Sequence, residues 1–471
     1  MKITLIGLGL KEGELNSRGA AALSSGAKIF ARTADAPSYA SLKGYDVQPL
    51  DGLFAASRNF DTLNKKLADT IIKQSRLTDV IYCVDGAVCE DNACKLILAR
   101  KKDVEVIEGT SKTSHAANLA KLKSSCVTGV SAYDIKNLQP SPAAVVYDVD
   151  DYFAASEVKS VLSDLYGEDC VCTFIRGDSA VKIKVYEIDR RKDYDMSCAV
   201  AIEEGEFLTK ARYGYNDVLE IVRVLRAPGG CPWDRAQTNG SIRSNMIEEA
   251  YELVDAINKN DDDMLWEETG DVLLQAAFHT VLKEEQGAFT SRDVTTRLVK
   301  KLIFRHSHIF GNENAATENE ALGVWDKNKE IEKKHSTYGE AVAAVPDNFP
   351  TCMRAQKVQK RAAKAGLDYL SAMSAADKLT EDTDSCINAL IDGKNDAALK
   401  LCGDMLFDAV SVCRLAGADS EEVLTERTAD FAKQFIKAEE LAISEGKKVE
   451  DFGELEWNWY LLRARNAIKE D

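Results

Sequence analysis

Near Phe207 the sequence changes grammar, and that change constrains the fold more than any other feature. Before it, β-rich runs at 3–8, 80–84, 104–107, 143–149 and 181–188 alternate with helical stretches, the pattern of a wound α/β sheet. After it come long amphipathic segments rich in Ala, Leu, Glu and Lys, with strand-like runs almost absent, so the remainder is expected to be all-helical. Polar breaks at 311–322 and 344–350 interrupt these helices, and the second carries Pro346 and Pro350, which stop a helix. A chain of 471 residues exceeds the roughly 100–200 of one domain. We therefore expect three domains: an α/β domain over 1–205 and two tandem helical units over 206–343 and 344–471.

The helical part repeats itself. Ile247-Glu-Glu-Ala-Tyr-Glu252 is followed by Glu268-Thr-Gly-Asp271-Val-Leu-Leu, and Thr380-Glu-Asp-Thr-Asp-Ser385 by Leu401-Cys-Gly-Asp404-Met-Leu-Phe. Glu248 and Asp271 are separated by the same stretch as Glu381 and Asp404. The copies differ in chemistry, because Ser385 stands where Glu252 does and Leu401 where Glu268 does.

In the first copy Glu249 and Glu252 lie one turn apart on one helix face, and Glu268 and Asp271 repeat that spacing. Two antiparallel helices would bring the four carboxylates together. They would repel one another unless protonated, solvated or neutralised by a cation, and hard oxygen ligands select Mg²⁺ or Mn²⁺. One acidic run by itself reads as an exposed helix face. Against that reading, Leu253, Val254, Ile257, Val272, Leu273 and Leu274 crowd the acids and predict a packed helix interface. Basic residues also recur downstream at helical spacing: Lys301 and Arg305, then Lys329 four residues after Trp325. Finally, the second copy keeps the apolar frame without the acids.

The formal charge of −17 opposes binding to nucleic acid or to an anionic membrane, although a metal ion could still bridge the chain to a small phosphorylated ligand. Lys11, Glu12 and Glu14 break the apolar run at the N-terminus before it reaches the length of a secretory core or membrane span, so a cytoplasmic protein is expected. The 12 cysteines include no CxxC pair and no Cys/His spacing suited to zinc, and read as reduced structural thiols.

Cys231-Pro-Trp-Asp234, Glu248-Glu249-x-x-Glu252, Glu268-x-x-Asp271 and Arg305-His-Ser-His-Ile-Phe310 together resemble the MazG family, and Met353-Arg-Ala-Gln-Lys-Val-Gln-Lys-Arg361 resembles the lead-in to its second unit. The resemblance covers the chain from about Tyr213 onward. It implies hydrolysis of nucleoside triphosphates to monophosphate and pyrophosphate, with broad base specificity. Glu249, Glu252, Glu268 and Asp271 would hold the metal, and Glu248 would orient or deprotonate the attacking water, with Glu249 beside it. Lys301, Arg305 and Lys329 would stabilise the triphosphate. Trp325 either stacks on a base or lies flat against the core, and Asn245 either contacts ligand or faces solvent. Ser307 departs from the family's proline. A homodimer is expected, because each unit has an apolar face to bury.

The N-terminal part carries Ile3-Thr-Leu-Ile-Gly-Leu-Gly9, Gly26-Ala-Lys-Ile-Phe-Ala-Arg-Thr33, Val80-Ile-Tyr-Cys-Val-Asp-Gly86 and Val104-Glu-Val-Ile-Glu-Gly109, and resembles the tetrapyrrole methylase family. That resemblance implies S-adenosylmethionine as cofactor, approached by the turn at Gly7 and Gly9. Leu10-Lys11 replaces the family's Pro-Gly, and Asp85-Gly-Ala-Val-Cys89 replaces its Pro-containing loop; both departures weigh against methyl transfer. The competing reading is a methyltransferase, or a nucleotide-sensing module, whose helical part serves for dimerisation.

Overall fold

The computed structural model describes residues 1–333 and 336–470 and divides into two compact units, Met1–Ser291 and Arg292–Asp471. The first unit begins with ten strands in two sheets of five. In the first sheet β1 (Ile3–Gly7), β2 (Lys28–Ala31), β3 (Val47–Pro49), β4 (Val80–Val84) and β5 (Val104–Ile107) run parallel in the order β3-β2-β4-β1-β5. The central strands β1 and β4 are buried along their whole length, which is why they read as unbroken apolar runs.

The second sheet holds β6 (Thr128–Ser131), β7 (Ala143–Tyr147), β8 (Val171–Arg176), β9 (Ser179–Lys184) and β10 (Cys198–Glu203) in the order β6-β7-β10-β8-β9. Only β6 and β7 pair in parallel. The alternating pattern predicts one wound sheet, and the structure corrects that to two. The break falls between β5 and β6, and within the second sheet Gly177, at φ 54°, turns β8 straight back into β9 as an antiparallel hairpin. The run 181–188 is likewise not one strand. It ends at Lys184, whose backbone N–H donates to the Glu187 carboxylate at 2.8 Å, and continues as the 3-10 turn Val185–Arg190 that buries Val185 and Ile188.

Among the described residues no strand follows β10, as the change in sequence pattern predicts. The first unit closes with helices Tyr215–Arg226, Arg243–Lys259 and Asp262–Glu285 around Leu219, Val222, Ala277, Phe278 and Val281. Asn260, left-handed at φ 52°, ends the second of these, and the Asp261 side chain caps the third by accepting from the Met264 N–H.

The second unit is helical, with Glu318–Lys333, Thr351–Ala363, Ala372–Ile391, Asn395–Leu415, Ser420–Ser444 and Glu454–Glu470 as its longer helices. Helix Tyr338–Ala343 stops before Pro346, and Pro350 leads into the next, so the prolines break the chain as expected. The break at 311–322 is shorter than expected because a helix already starts at Glu318.

Candidate active site

The αL turn at Asn260 folds Arg243–Lys259 and Asp262–Glu285 into a hairpin, and the hairpin converges the acids. Ligand oxygens of Glu249, Glu252 and Glu268 lie within 4.8 Å of one another. Burial, then Asp271 and Glu252, push the Glu249 carboxyl above its usual range; burial, then Glu252 and Asp271, do the same to Glu268. Asp271 thus adds its charge to the same group. Buried Gln275 donates to Glu249 Oε1 at 3.4 Å, the one neutral support this carboxylate has. Among the described residues, no ion pair involves Glu248, Glu249, Glu252, Glu268 or Asp271. A cluster of carboxylates lacking a protein cation fits a hard divalent ion. Glu248 is exposed beside the cluster, and Asn245 is half-buried one turn earlier.

The expected packed interface around the acids needs correction. Leu253, Val272 and Leu274 are half-buried, but Val254 is 48% and Ile257 57% exposed, as are Ile247 and Tyr251 to a similar degree. Within one chain the apolar stripe beside the acids is largely uncovered.

The second copy differs in what faces its acids. Asp382 occupies the position of Glu249, and Lys378, four residues earlier as Asn245 is, forms an ion pair with it. Asp408, in the place of Gln275, accepts from the Tyr369 hydroxyl at 2.8 Å. A lysine of the chain thus neutralises Asp382, one of the acids that remain. Replacing Asp404 with asparagine is accordingly expected to leave turnover within about twofold of wild type, inside the roughly ±0.5 kcal/mol typical of a surface substitution; a large loss in steady-state assays would mean that this copy houses a working site.

Lys301, Arg305, Trp325 and Lys329 belong to the second unit. Trp325 is half-buried, with Lys329 Nζ 4.4 Å and Arg305 Cζ 5.1 Å from its ring centre, and Arg305 donates to Glu332 Oε2 at 2.7 Å. Lys301 lines a shallow depression with Arg297, Lys300 and Glu332. Sequence reasoning passed over Lys333, Lys357 and Arg361. Burial and its neighbours Lys333 and Arg305 hold the Lys329 ammonium below its usual range, and burial with Arg361, Arg305 and Lys357 does so for Lys333. The signal was present, since Lys357 and Arg361 are one turn apart within the quoted lead-in motif. Ser307 opens the short helix Ser307–Phe310, and its Oγ donates to the Glu313 carboxylate and accepts from Asn328 at 2.8 Å. Also missed was Arg226, which ties the Cys231–Asp234 turn to the hairpin by donating to the Asp234 and Gln237 carbonyls and pairing with Glu285 at 2.8 Å.

At the N-terminal glycine turn, a Cβ on Gly7 would lie 2.4 Å from the Gly109 nitrogen and 2.5 Å from the Gly86 carbonyl oxygen, well inside van der Waals contact, so Gly7 serves chain packing. Gly9 bridges to Gly86, and the Leu10 N–H donates to Glu14 at 2.8 Å. Nearby, Lys112 pairs with Asp85 at 2.9 Å and Asp148 at 2.6 Å, all three largely buried. Lys112 thus neutralises Asp85 and Asp148 from within the chain, while Glu90, Asp91, Asp134 and Asp150 line the same cavity.

The family model of the MazG nucleotide pyrophosphohydrolase domain matches residues 237–310, which hold all four acids and Arg305. The nucleoside triphosphate pyrophosphohydrolase/pyrophosphatase MazG of Thermotoga maritima is 36% identical, over 50% of this chain and 90% of that protein. The nucleoside triphosphate pyrophosphohydrolase of Escherichia coli is 34% identical over 49% of this chain and 88% of that protein. The uncharacterized protein YabN of Bacillus subtilis is 29% identical over 96% of this chain and 95% of its own length. Over the N-terminal part, the crystal structure of uroporphyrin-III-C-methyltransferase from Thermus thermophilus aligns with a TM-score of 0.33 and 13% identity, covering 43% of this chain and 94% of that one. With the acids, the Cys231-Pro-Trp-Asp234 segment and the Thermotoga maritima and Escherichia coli relatives in agreement, the chain belongs to the MazG nucleotide pyrophosphohydrolase family.

Proposed function

We propose that the chain hydrolyses nucleoside triphosphates to nucleoside monophosphate and pyrophosphate, with Glu249, Glu252, Glu268 and Asp271 holding Mg²⁺, or Mn²⁺ in its place. The observation that carries this reading is the convergence of Glu249, Glu252 and Glu268 oxygens within 4.8 Å with no lysine or arginine of the described residues to neutralise them. When bound, the cation supplies Lewis-acid polarisation of the phosphate oxygens and offsets charge developing in an in-line displacement. Glu248, exposed and adjacent, orients the attacking water and accepts its proton. Asn245, one turn before Glu249, is placed to hydrogen-bond the ligand. Lys301, Arg305 and Lys329 stabilise the triphosphate, with Lys333, Lys357 and Arg361 adding positive charge to the same basic group. Trp325 offers a half-buried aromatic edge to the base. None of these groups reads the hydrogen-bonding edge of a base, which supports broad specificity.

The uncovered apolar stripe at Ile247, Tyr251, Val254 and Ile257 supports a homodimer that buries it. The end of strand structure at Glu203 and the prolines 346 and 350 support domains over 1–205, 206–343 and 344–471. No helix among the described residues is long and apolar enough to cross a membrane. The net charge of −17 supports a cytoplasmic protein that binds neither nucleic acid nor membrane.

The test is release of pyrophosphate from a panel of canonical and modified nucleoside triphosphates, with Mg²⁺ and with chelator. Release that stops on chelation and returns with added Mg²⁺ is the expected outcome. No release from any triphosphate at any divalent ion would transfer the site to nucleotide sensing without turnover.

A further inference from the structure

The second helical copy has lost two of the four carboxylates and gained a pair of thiols. Cys386 on helix Ala372–Ile391 and Cys402 on helix Asn395–Leu415 have Sγ atoms 3.7 Å apart, both as free thiols. By the repeat, they stand at the positions of Leu253 and Thr269, each one residue beyond a replaced acid: Ser385 for Glu252, Leu401 for Glu268. Small residues bring the two helices together here, since Ala389 and Ala398 pack with Cys386 in one buried cluster. The Cys386 thiol donates to the Ala398 carbonyl at 3.6 Å, which holds its sulfur at the helix interface facing Cys402. Cys402 is exposed and Cys386 is buried. The pair therefore has one sulfur open to a reagent from solvent and one protected from it, already in van der Waals contact.

We propose that Cys386 and Cys402 are a reversible disulfide-forming site, with Cys402 as the thiol that attacks a small-molecule disulfide and Cys386 as the thiol that resolves the adduct. In the first step the Cys402 thiolate attacks one sulfur of the small disulfide, whose S–S bond breaks and releases one thiolate. In the second, the Cys386 thiolate attacks Cys402 Sγ, the mixed disulfide breaks, and the second small thiolate leaves. The two cysteine protons pass through solvent to the two leaving thiolates, so two cysteines are oxidised and one small disulfide is reduced to two thiols. Closing the bond brings the sulfurs from 3.7 Å to about 2.0 Å, within reach of side-chain rotation and a small helix shift. Burial pushes the Cys386 thiol up, which slows the resolving attack without blocking it. The cross-link joins two helices of the copy that carries no metal cluster, so its effect falls on the stability of that copy by constraining its unfolded chain.

The full-length protein treated with oxidised glutathione, alkylated and digested, supplies the test. The expected product is a peptide pair linked through Cys386 and Cys402 that disappears on treatment with dithiothreitol and is absent from both Cys386→Ser and Cys402→Ser. A variant with Cys352→Ser and Cys413→Ser, which removes the other neighbouring thiols of this unit, retains it. Thermal unfolding of the oxidised chain shifts to higher temperature than that of the reduced chain, and the shift vanishes in Cys402→Ser. Glutathione left on Cys402 with Cys386 still alkylatable, after prolonged incubation in folded wild type, would overturn the proposal.

Discussion

In the Glu249→Gln variant, pyrophosphate release is expected to fall by at least about 100-fold while the folded chain becomes no less stable. Loss of a residue that merely supports a metal ligand commonly costs 10–100-fold, so loss of a ligand should reach or exceed the upper end. Stability moves the other way because Glu249 is held in a cluster of like charge. Its carboxyl is pushed up by burial, Asp271 and Glu252, so the folded metal-free chain binds its proton more tightly than the unfolded chain does. Stability from this group is fully present below the unfolded carboxylate range and is lost as pH rises through the raised folded value, leaving a repulsion at neutral pH. Glutamine removes that repulsion. The metal-free wild type should therefore gain stability as pH falls through the carboxylate range, and the variant should gain less; added Mg²⁺ should raise the unfolding temperature of the wild type and not of the variant. Full activity in the variant, with an unchanged response to Mg²⁺, would remove Glu249 from the metal site.

Much of this site was legible from spacing alone. Glu249, Glu252, Glu268 and Asp271 each fall one turn from a partner, and helical geometry leaves little freedom once two such helices form a hairpin. Periodicity did not reveal what covers the stripe beside them: Val254 and Ile257 have the spacing of core residues and remain exposed, because a helical pattern marks an apolar face without saying whether the same chain buries it. The chemical difference of the second copy was half legible. Ser385 and Leu401 announced the missing acids, but the pairing of Lys378 with Asp382 emerges only when the repeat is laid over the contacts. In the α/β part the buried central strands β1 and β4 were plain as apolar runs, whereas edge strand β9, mostly exposed, gave no clean boundary.

The second large effect lies in the N-terminal domain and separates a structural lysine from a ligand-binding one. Lys112→Met is expected to destabilise that domain by about 3–5 kcal/mol, the usual cost of breaking a buried ion pair by removing one partner. The side chains of Lys112, Asp85 and Asp148 are 13%, 6% and 21% exposed, so little solvent is available to screen the two carboxylates left behind. Although burial alone would lower it, Asp148 and Asp85 together raise the Lys112 ammonium above its usual range. A lysine raised in this way contributes its stability fully below the unfolded lysine range and loses it only in strongly alkaline solution, so the effect should persist across neutral pH. Of the five tryptophans, Trp233 and Trp266 share the first unit with Lys112, whereas Trp325, Trp457 and Trp459 lie in the second. Circular dichroism should show unfolding of Lys112→Met beginning at a lower temperature than that of the wild type. Adding Asp85→Asn to Lys112→Met should recover part of the loss, because it removes one of the uncompensated charges. If Lys112→Met unfolds like the wild type, the ammonium is not holding the two carboxylates.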